Sequence, residues 1–218
     1  MNNKFFLLIF ILFLSGVAFS VYSSAEPKKI EYQKDDNKKN MIELNRDILE
    51  KYSQAEFKTS EGDFVIKFFN EQMPETVTNF LTLAESGYFD GIKFHRVIAD
   101  FMIQGGDPLT KDDSSLGMWG TGGPGYAIAD EHVPGLSNLR GTISMANSGP
   151  NSGGSQFFIN VRDNTFLDFD KEPLSSKHPV FGEVVSGMDV VDKISNVSKD
   201  VMDRPEKPVI IEKVNLMK

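Results

Sequence analysis

The chain has 218 residues, 40% of them hydrophobic, which is enough for one core-bearing domain with additional segments. It contains no cysteine, so disulfides, thiolate nucleophiles and cysteine-based metal sites are excluded. A net charge of −8 and the lack of a basic tract argue against nucleic acid as a partner.

Residues 1–25 read as an export segment. Lys4 is its only charge, residues 5–14 are apolar throughout, and Ala18-Phe19-Ser20 and Ser23-Ser24-Ala25 each fit a small-x-small cleavage pattern. A cleaved signal peptide is the preferred reading. The uncharged stretch over 5–25 is also about long enough to span a bilayer as a helix, so an uncleaved membrane anchor stands beside it. Residues 26–39 are charged, carry Pro27 and read as a solvated linker. Over residues 40–54 an amphipathic helix is predicted: Asn40 can cap it, and Met41, Leu44, Ile48 and Tyr52 fall on one stripe. Packing on the domain that follows is preferred to docking on a partner.

Residues 55–218 read as one domain. Period-two alternation over 55–59 and 63–69, broken by Ser60-Glu61-Gly62, predicts a hairpin with Phe64, Ile66 and Phe68 on its buried face. Pro74 suits a first helical turn, Val77, Phe80, Leu81 and Ala84 follow at helical spacing, and Gly87 ends the run. Residues 178–185 read as a strand, Val190, Val191 and Ile194 mark a second helix, and 209–214 a last strand. Many short strands, glycine-rich turns and two helices predict a mainly-β domain built as a closed antiparallel barrel.

Two stretches carry the chemistry. The first is Phe94-His95-Arg96-Val97-Ile98-Ala99-Asp100-Phe101-Met102-Ile103-Gln104-Gly105-Gly106-Asp107. Arg96 is costly to bury unpaired, so it should face solvent or a ligand; taken alone, it reads as a surface salt-bridge residue. The second runs from Gly141-Thr142-Ile143-Ser144-Met145-Ala146-Asn147 through Ser148-Gly149-Pro150-Asn151-Ser152-Gly153-Gly154 to Ser155-Gln156-Phe157-Phe158-Ile159. In this order and at this separation, the two stretches resemble the cyclophilin family of peptidyl-prolyl isomerases, a likeness extending over about residues 55–214.

The resemblance implies a closed eight-stranded antiparallel β-barrel capped by two α-helices. It also implies cis–trans isomerisation of X–Pro bonds in proline-containing polypeptides, with no cofactor and no metal. Arg96 is then the catalytic cation, with Gln104 and His95 beside it. Because the reaction moves no proton, His95 is read as a pocket wall and hydrogen-bonding residue, not as a general base. By the same resemblance Phe101, Met102, Phe158 and Leu167 line an apolar proline pocket, with Phe166 nearby and His178 at the rim. Gln104, Asn147, Gln156 and the backbone around Ala146 form a polar clamp. Period two supports part of this: if Phe157 and Ile159 face the core, Gln156 and Phe158 face the groove.

Two motifs invite other readings. Residues 120–125 match G-x-G-x-x-G, but Pro124 and the following Tyr126-Ala127-Ile128 do not open a helix, so a dinucleotide fingerprint is rejected. Those glycines are expected to let backbone pass close beside the groove. Ser152 and Ser155 lack a G-x-S-x-G context and an acid–base pair.

The chain also departs from the family pattern. Phe166 stands where many eukaryotic members have tryptophan, which removes an indole donor and predicts weak binding of cyclosporin-type ligands. Residues 169–177 and 111–119 are extended loops near the rim, the second holding the only tryptophan, Trp119. The reading is therefore a monomeric, exported bacterial-type isomerase of the periplasm that helps extracytoplasmic proteins fold. A tethered module that binds proline-containing segments with little turnover is the alternative.

Overall fold

A computed structural model of the chain describes residues 28–29, 46–171 and 177–218. The export segment, Asn40, Met41 and Leu44, nearly all of the linker and the centre of loop 169–177 lie outside the described residues. No helix among the described residues is long and apolar enough to cross a membrane.

The first described element, β1 (Lys28–Lys29), pairs in parallel with the short strand β6 (Tyr126–Ala127). Helix α1 (Asp47–Lys51) covers only the end of the helix predicted over 40–54, and it packs on the domain. Ile48 is buried in the main core with Leu49 and Tyr52 against it, and Asn70 Nδ2 donates to the carbonyls of Leu49 and Tyr52, at 2.7 Å each.

The predicted hairpin is β2 (Gln54–Thr59) and β3 (Gly62–Phe68), with Thr59 opposite Gly62. Gly62 has φ +129°, a conformation its lack of Cβ permits. Phe64, Ile66 and Phe68 are all buried, as alternation required. Helix α2 (Pro74–Glu85) begins at Pro74, and Gly87 turns left-handed at φ +72° while its N–H returns to Ala84 O. Its Thr76 and Glu75 amides are capped by Glu131, whose carboxylate accepts from both at 2.6 and 3.0 Å.

The remaining strands are β4 (Arg96–Ile98), β5 (Met102–Gly105), β7 (Thr142–Met145), β8 (Phe157–Asn160), β9 (Val180–Ser186) and β10 (Ile211–Met217). Helix α3 (Met188–Ser195) follows β9. Eight strands form one antiparallel sheet in the order β10-β2-β3-β9-β7-β8-β5-β4. Its concave side is filled with aromatic rings. Phe57 stacks on Phe64 at 4.8 Å and Phe80 on Phe89 at 4.7 Å, and Phe157 meets Phe57, Phe80 and Phe89 edge-on. Aromatic pairs of this kind add to area burial.

The expectation of a closed barrel is corrected here. The sheet is open, a half-barrel with β10 and β4 as its edges. Among the described residues the edges meet only through the isolated bridge Lys93↔Ile210 and adjoining backbone bonds such as Phe94 N–H to Val209 O, 2.9 Å. The reason is local. Strand β4 is three residues long, and Pro205 and Pro208 ahead of β10 remove the donors a longer ladder would need.

Candidate active site

The outer face of one end of the sheet carries the site. Register places Arg96 opposite Gln104, and Gln104 opposite Phe158, across β4, β5 and β8. One pleat further along, Ile98 lies opposite Met102. The alternate residues Val97, Ile103, Phe157 and Ile159 point inward and belong to the main core. Thus Phe157 faces the core, and Phe158 faces the groove.

The predicted apolar pocket is a separate small cluster. Met102, Phe158 and Leu167 are buried together, with Ile98, Phe101 and Ala146 packed against them. Phe166 is exposed and lies parallel to Phe101 at 6.1 Å, so it forms a wall of the opening. Leu167 and Phe166 are presented by a single 3-10 turn, Thr165–Leu167. His178 meets the Phe158 ring edge-on at 5.2 Å, and its Nδ1 lies 3.0 Å from Met145 O. Burial holds His178 below the usual histidine range. Arg96 itself is exposed at the start of β4, where its guanidinium can reach a ligand.

Two of the three polar side chains expected to clamp the peptide, Gln104 and Gln156, bond to each other. Gln104 Nε2 donates to Gln156 Oε1 at 3.0 Å, and Gln156 Nε2 donates to Gly120 O and Gly122 O at 3.0 and 2.8 Å. Ala146 N–H donates to Gln156 O, and Asn147 Nδ2 donates to Lys177 O at 2.7 Å. The glycine run 120–125 is therefore held directly against the groove. From its other side the buried Asp107 carboxylate accepts the N–H groups of Leu109, Gly120 and Gly122. A Cβ on Gly122 would overlap that carboxylate and sit 2.8 Å from Leu109 Cγ. Close backbone passage is what requires glycine there.

His95 differs from expectation. It is only 5% exposed, and neither ring nitrogen makes a well-formed hydrogen bond, the Lys93 backbone giving only a weak interaction. It lies beneath the rim, where a Cβ on Gly120 would stand 3.7 Å from its Cδ2 and Nε2. Burial lowers its pKa to about 4, Asp107 opposing that shift and Arg96 adding to it. The imidazole is thus a neutral packing wall, and the hydrogen-bonding role expected of it is not seen.

The residues that sequence reasoning missed lie under the pocket. Asp168 accepts from Asn138 N and Nδ2 and from Ser137 Oγ; Asn138 Oδ1 in turn accepts from Ser144 Oγ and Asn160 Nδ2. Asn164 Nδ2 continues the chain to Asn160 Oδ1 and to Phe101 O, both 2.8 Å. This network fixes the backbone carrying Phe101 and the turn carrying Leu167. Its only sequence signal is a set of scattered Asn and Asp residues at no common period. Ser152 and Ser155, dismissed above as nucleophiles, donate to Gly149 O and Gly106 O, both at 2.7 Å, which are turn-holding bonds.

Comparison with known proteins follows from this geometry. A family model described as cyclophilin type peptidyl-prolyl cis-trans isomerase/CLD matches residues 54–216. A Staphylococcus aureus protein named a peptidyl-prolyl cis-trans isomerase is 38% identical over 198 residues, covering 81% of this chain and 98% of its own. A Staphylococcus epidermidis protein of the same name is 36% identical over the same shares. A crystal structure of a Cryptosporidium parvum cyclophilin type peptidyl-prolyl cis-trans isomerase superposes with a TM-score of 0.67 at 31% identity, covering 77% of this chain and 98% of that one. The same Cryptosporidium protein, crystallised in the presence of the dipeptide Ala-Pro, gives 0.66 at 31% identity, with 76% and 99% covered.

Proposed function

The chain belongs to the cyclophilin-type peptidyl-prolyl cis-trans isomerases and is an enzyme of that class, and from that premise we propose that Arg96 drives the isomerisation in the groove of Phe101, Met102, Phe158 and Leu167. The observation that carries this is the cross-strand row of Arg96, Gln104 and Phe158, which sets one exposed cation beside one apolar pocket on the same face.

Amide resonance gives an X–Pro bond a barrier of ~18–20 kcal/mol. Rotation breaks the resonance and localises the nitrogen lone pair. A fixed guanidinium near that nitrogen interacts better with the twisted amide than with either planar form, and such differential binding lowers the barrier. The pocket holds the proline ring, and Gln104, Gln156 and Asn147 orient the peptide on either side. The dipeptide reported with the Cryptosporidium relative supports a proline-containing peptide as the occupant. The N-terminal export pattern supports a role in folding extracytoplasmic proteins.

The test is exchange NMR of a short X–Pro peptide with the wild type and with Arg96→Ala. Acceleration should fall at least about tenfold in the variant, ~1.4 kcal/mol of lost barrier reduction. A variant as fast as the wild type would remove Arg96 from the mechanism.

A further inference from the structure

Among the described residues seven large apolar side chains are strongly exposed, and four of them sit on two segments beside Arg96: Leu116 (44%), Met118 (57%), Val201 (99%) and Met202 (65%). Exposed apolar groups scattered singly carry no meaning, whereas a cluster on one rim does. The first segment is the 3-10 turn Asp113–Met118, and the second is the turn over residues 199–204.

Both segments are pinned to the site. In the first, Asp113 pairs with the buried Lys93, whose Nζ lies 4.9 Å from the centre of the Trp119 ring, and Asp112 Oδ1 accepts from Ser114 N at 2.8 Å. In the second, Asp203 O accepts from Val97 N at 2.8 Å, Lys199 Nζ donates to Val97 O at 3.1 Å, and Asp200 Oδ1 accepts from Met202 N at 2.8 Å. Arg204 Nη1 joins the two by donating to Leu116 O at 3.3 Å. The first segment leads on to Gly120, which lies against His95. Residues 116–120 therefore run from the turn at Val97 to the ring of His95, and Arg96 is the residue between them.

The charges in these segments are paired locally, Lys199 with Asp203 at 2.9 Å and Arg204 with Asp200 at 2.8 Å. Asp113 is paired with Lys93, and the hydroxyls of Ser114 and Ser115 donate to Asp112, so what the two segments offer a ligand beyond these paired groups is apolar. We propose that Leu116, Met118, Val201 and Met202 form a ledge continuous with the groove, binding apolar side chains of the substrate chain a few residues from the isomerised bond. The ledge makes proline sites within apolar, unfolded segments the preferred substrates. This inference rests on the Arg96 groove being the site of isomerisation.

The test uses two peptides with one X–Pro core, flanked on both sides by serines in one and by leucines in the other. The readout is the ratio of kcat/KM values, leucine-flanked over serine-flanked. For the wild type the ratio should be about fivefold or more, the order supplied by partly burying one leucine side chain. In the variant L116S/M118S/V201S/M202S the ratio should fall toward one, mainly through KM. Val185→Ser, an exposed apolar residue outside the ledge, should leave the ratio as it is. A ratio near one in the wild type, or one unchanged in the fourfold variant, overturns the ledge while leaving the groove intact. Self-association of the wild type that the fourfold variant loses, with the ratio unchanged, would assign the patch to contact between copies and likewise overturn the proposal. If the wild type accelerates neither peptide, the groove reading falls first and the ledge with it.

Discussion

His95 allows the sharpest quantitative prediction. Burial lowers its pKa from the ordinary histidine value of 6.5 to about 4. The unfolded chain therefore binds a proton that the folded chain refuses between those two values, and stability falls as pH drops through that window. The shift amounts to roughly 3 kcal/mol at full expression, most of it lost between pH 7.5 and 4.5. His95→Leu removes the group and its unpaired ring nitrogens, so at pH 7.5 the variant should lie within about 1 kcal/mol of the wild type. At pH 4.5 it should be the more stable by about 2 kcal/mol. Urea unfolding at the two pH values, for both proteins, measures the difference directly. Burial also lowers His132 and His178, but they remain in both proteins and cancel in the comparison. Equal acid destabilisation of variant and wild type would refute the assignment. Because the ring stays neutral from pH 5 upward, the isomerase rate of the variant should also show the same flat pH profile as the wild type over pH 5.5 to 8.

Gly122→Ala forces a Cβ into the Asp107 carboxylate, and overpacking of this kind costs ~1–3 kcal/mol. A lowered thermal midpoint together with reduced kcat/KM is expected, and an unchanged midpoint would show that the 120–125 loop is not held as described. Phe166→Trp restores an indole donor at the exposed wall of the pocket. Titration calorimetry should find cyclosporin binding to the wild type weaker than about 100 nM, on the order of −10 kcal/mol. The variant should bind about fivefold tighter, the value of one added hydrogen bond; sub-100 nM binding to the wild type would refute the premise.

Which parts of this architecture could be read from the sequence depends on how far each feature reaches along the chain. The β2–β3 hairpin and the start of α2 rest on neighbours: alternation at Phe64, Ile66 and Phe68, a turn at Gly62, a proline at position 74. The division between Phe157 and Phe158 was equally legible, because one strand with one buried face determines both. Closure was not. Whether β4 and β10 form a ladder depends on the length of one strand and on prolines before the other, segments more than a hundred residues apart. The buried Asp168–Asn138–Asn160–Asn164 network shares no period and joins loops rather than strands, so no pattern announces it.

The burial of His95 shows how the fold and the site depend on the same contacts. Its neighbour Arg96 is exposed one residue away, and alternation turns His95 to the opposite face, the side of the buried Val97. What covers it is the glycine run, drawn down by Asp107 from one side and by Gln156 from the other. Gln104 Nε2, by donating to Gln156 Oε1, holds the Gln156 amide in the orientation that turns its Nε2 toward those carbonyls. The side chain proposed to orient the peptide thus also anchors the loop, and the loop can approach because residues 120 and 122 have no Cβ. Loss of Gln156 should therefore act on substrate binding and on loop position together, whereas loss of Arg96, exposed and outside this network, should act on the rate alone.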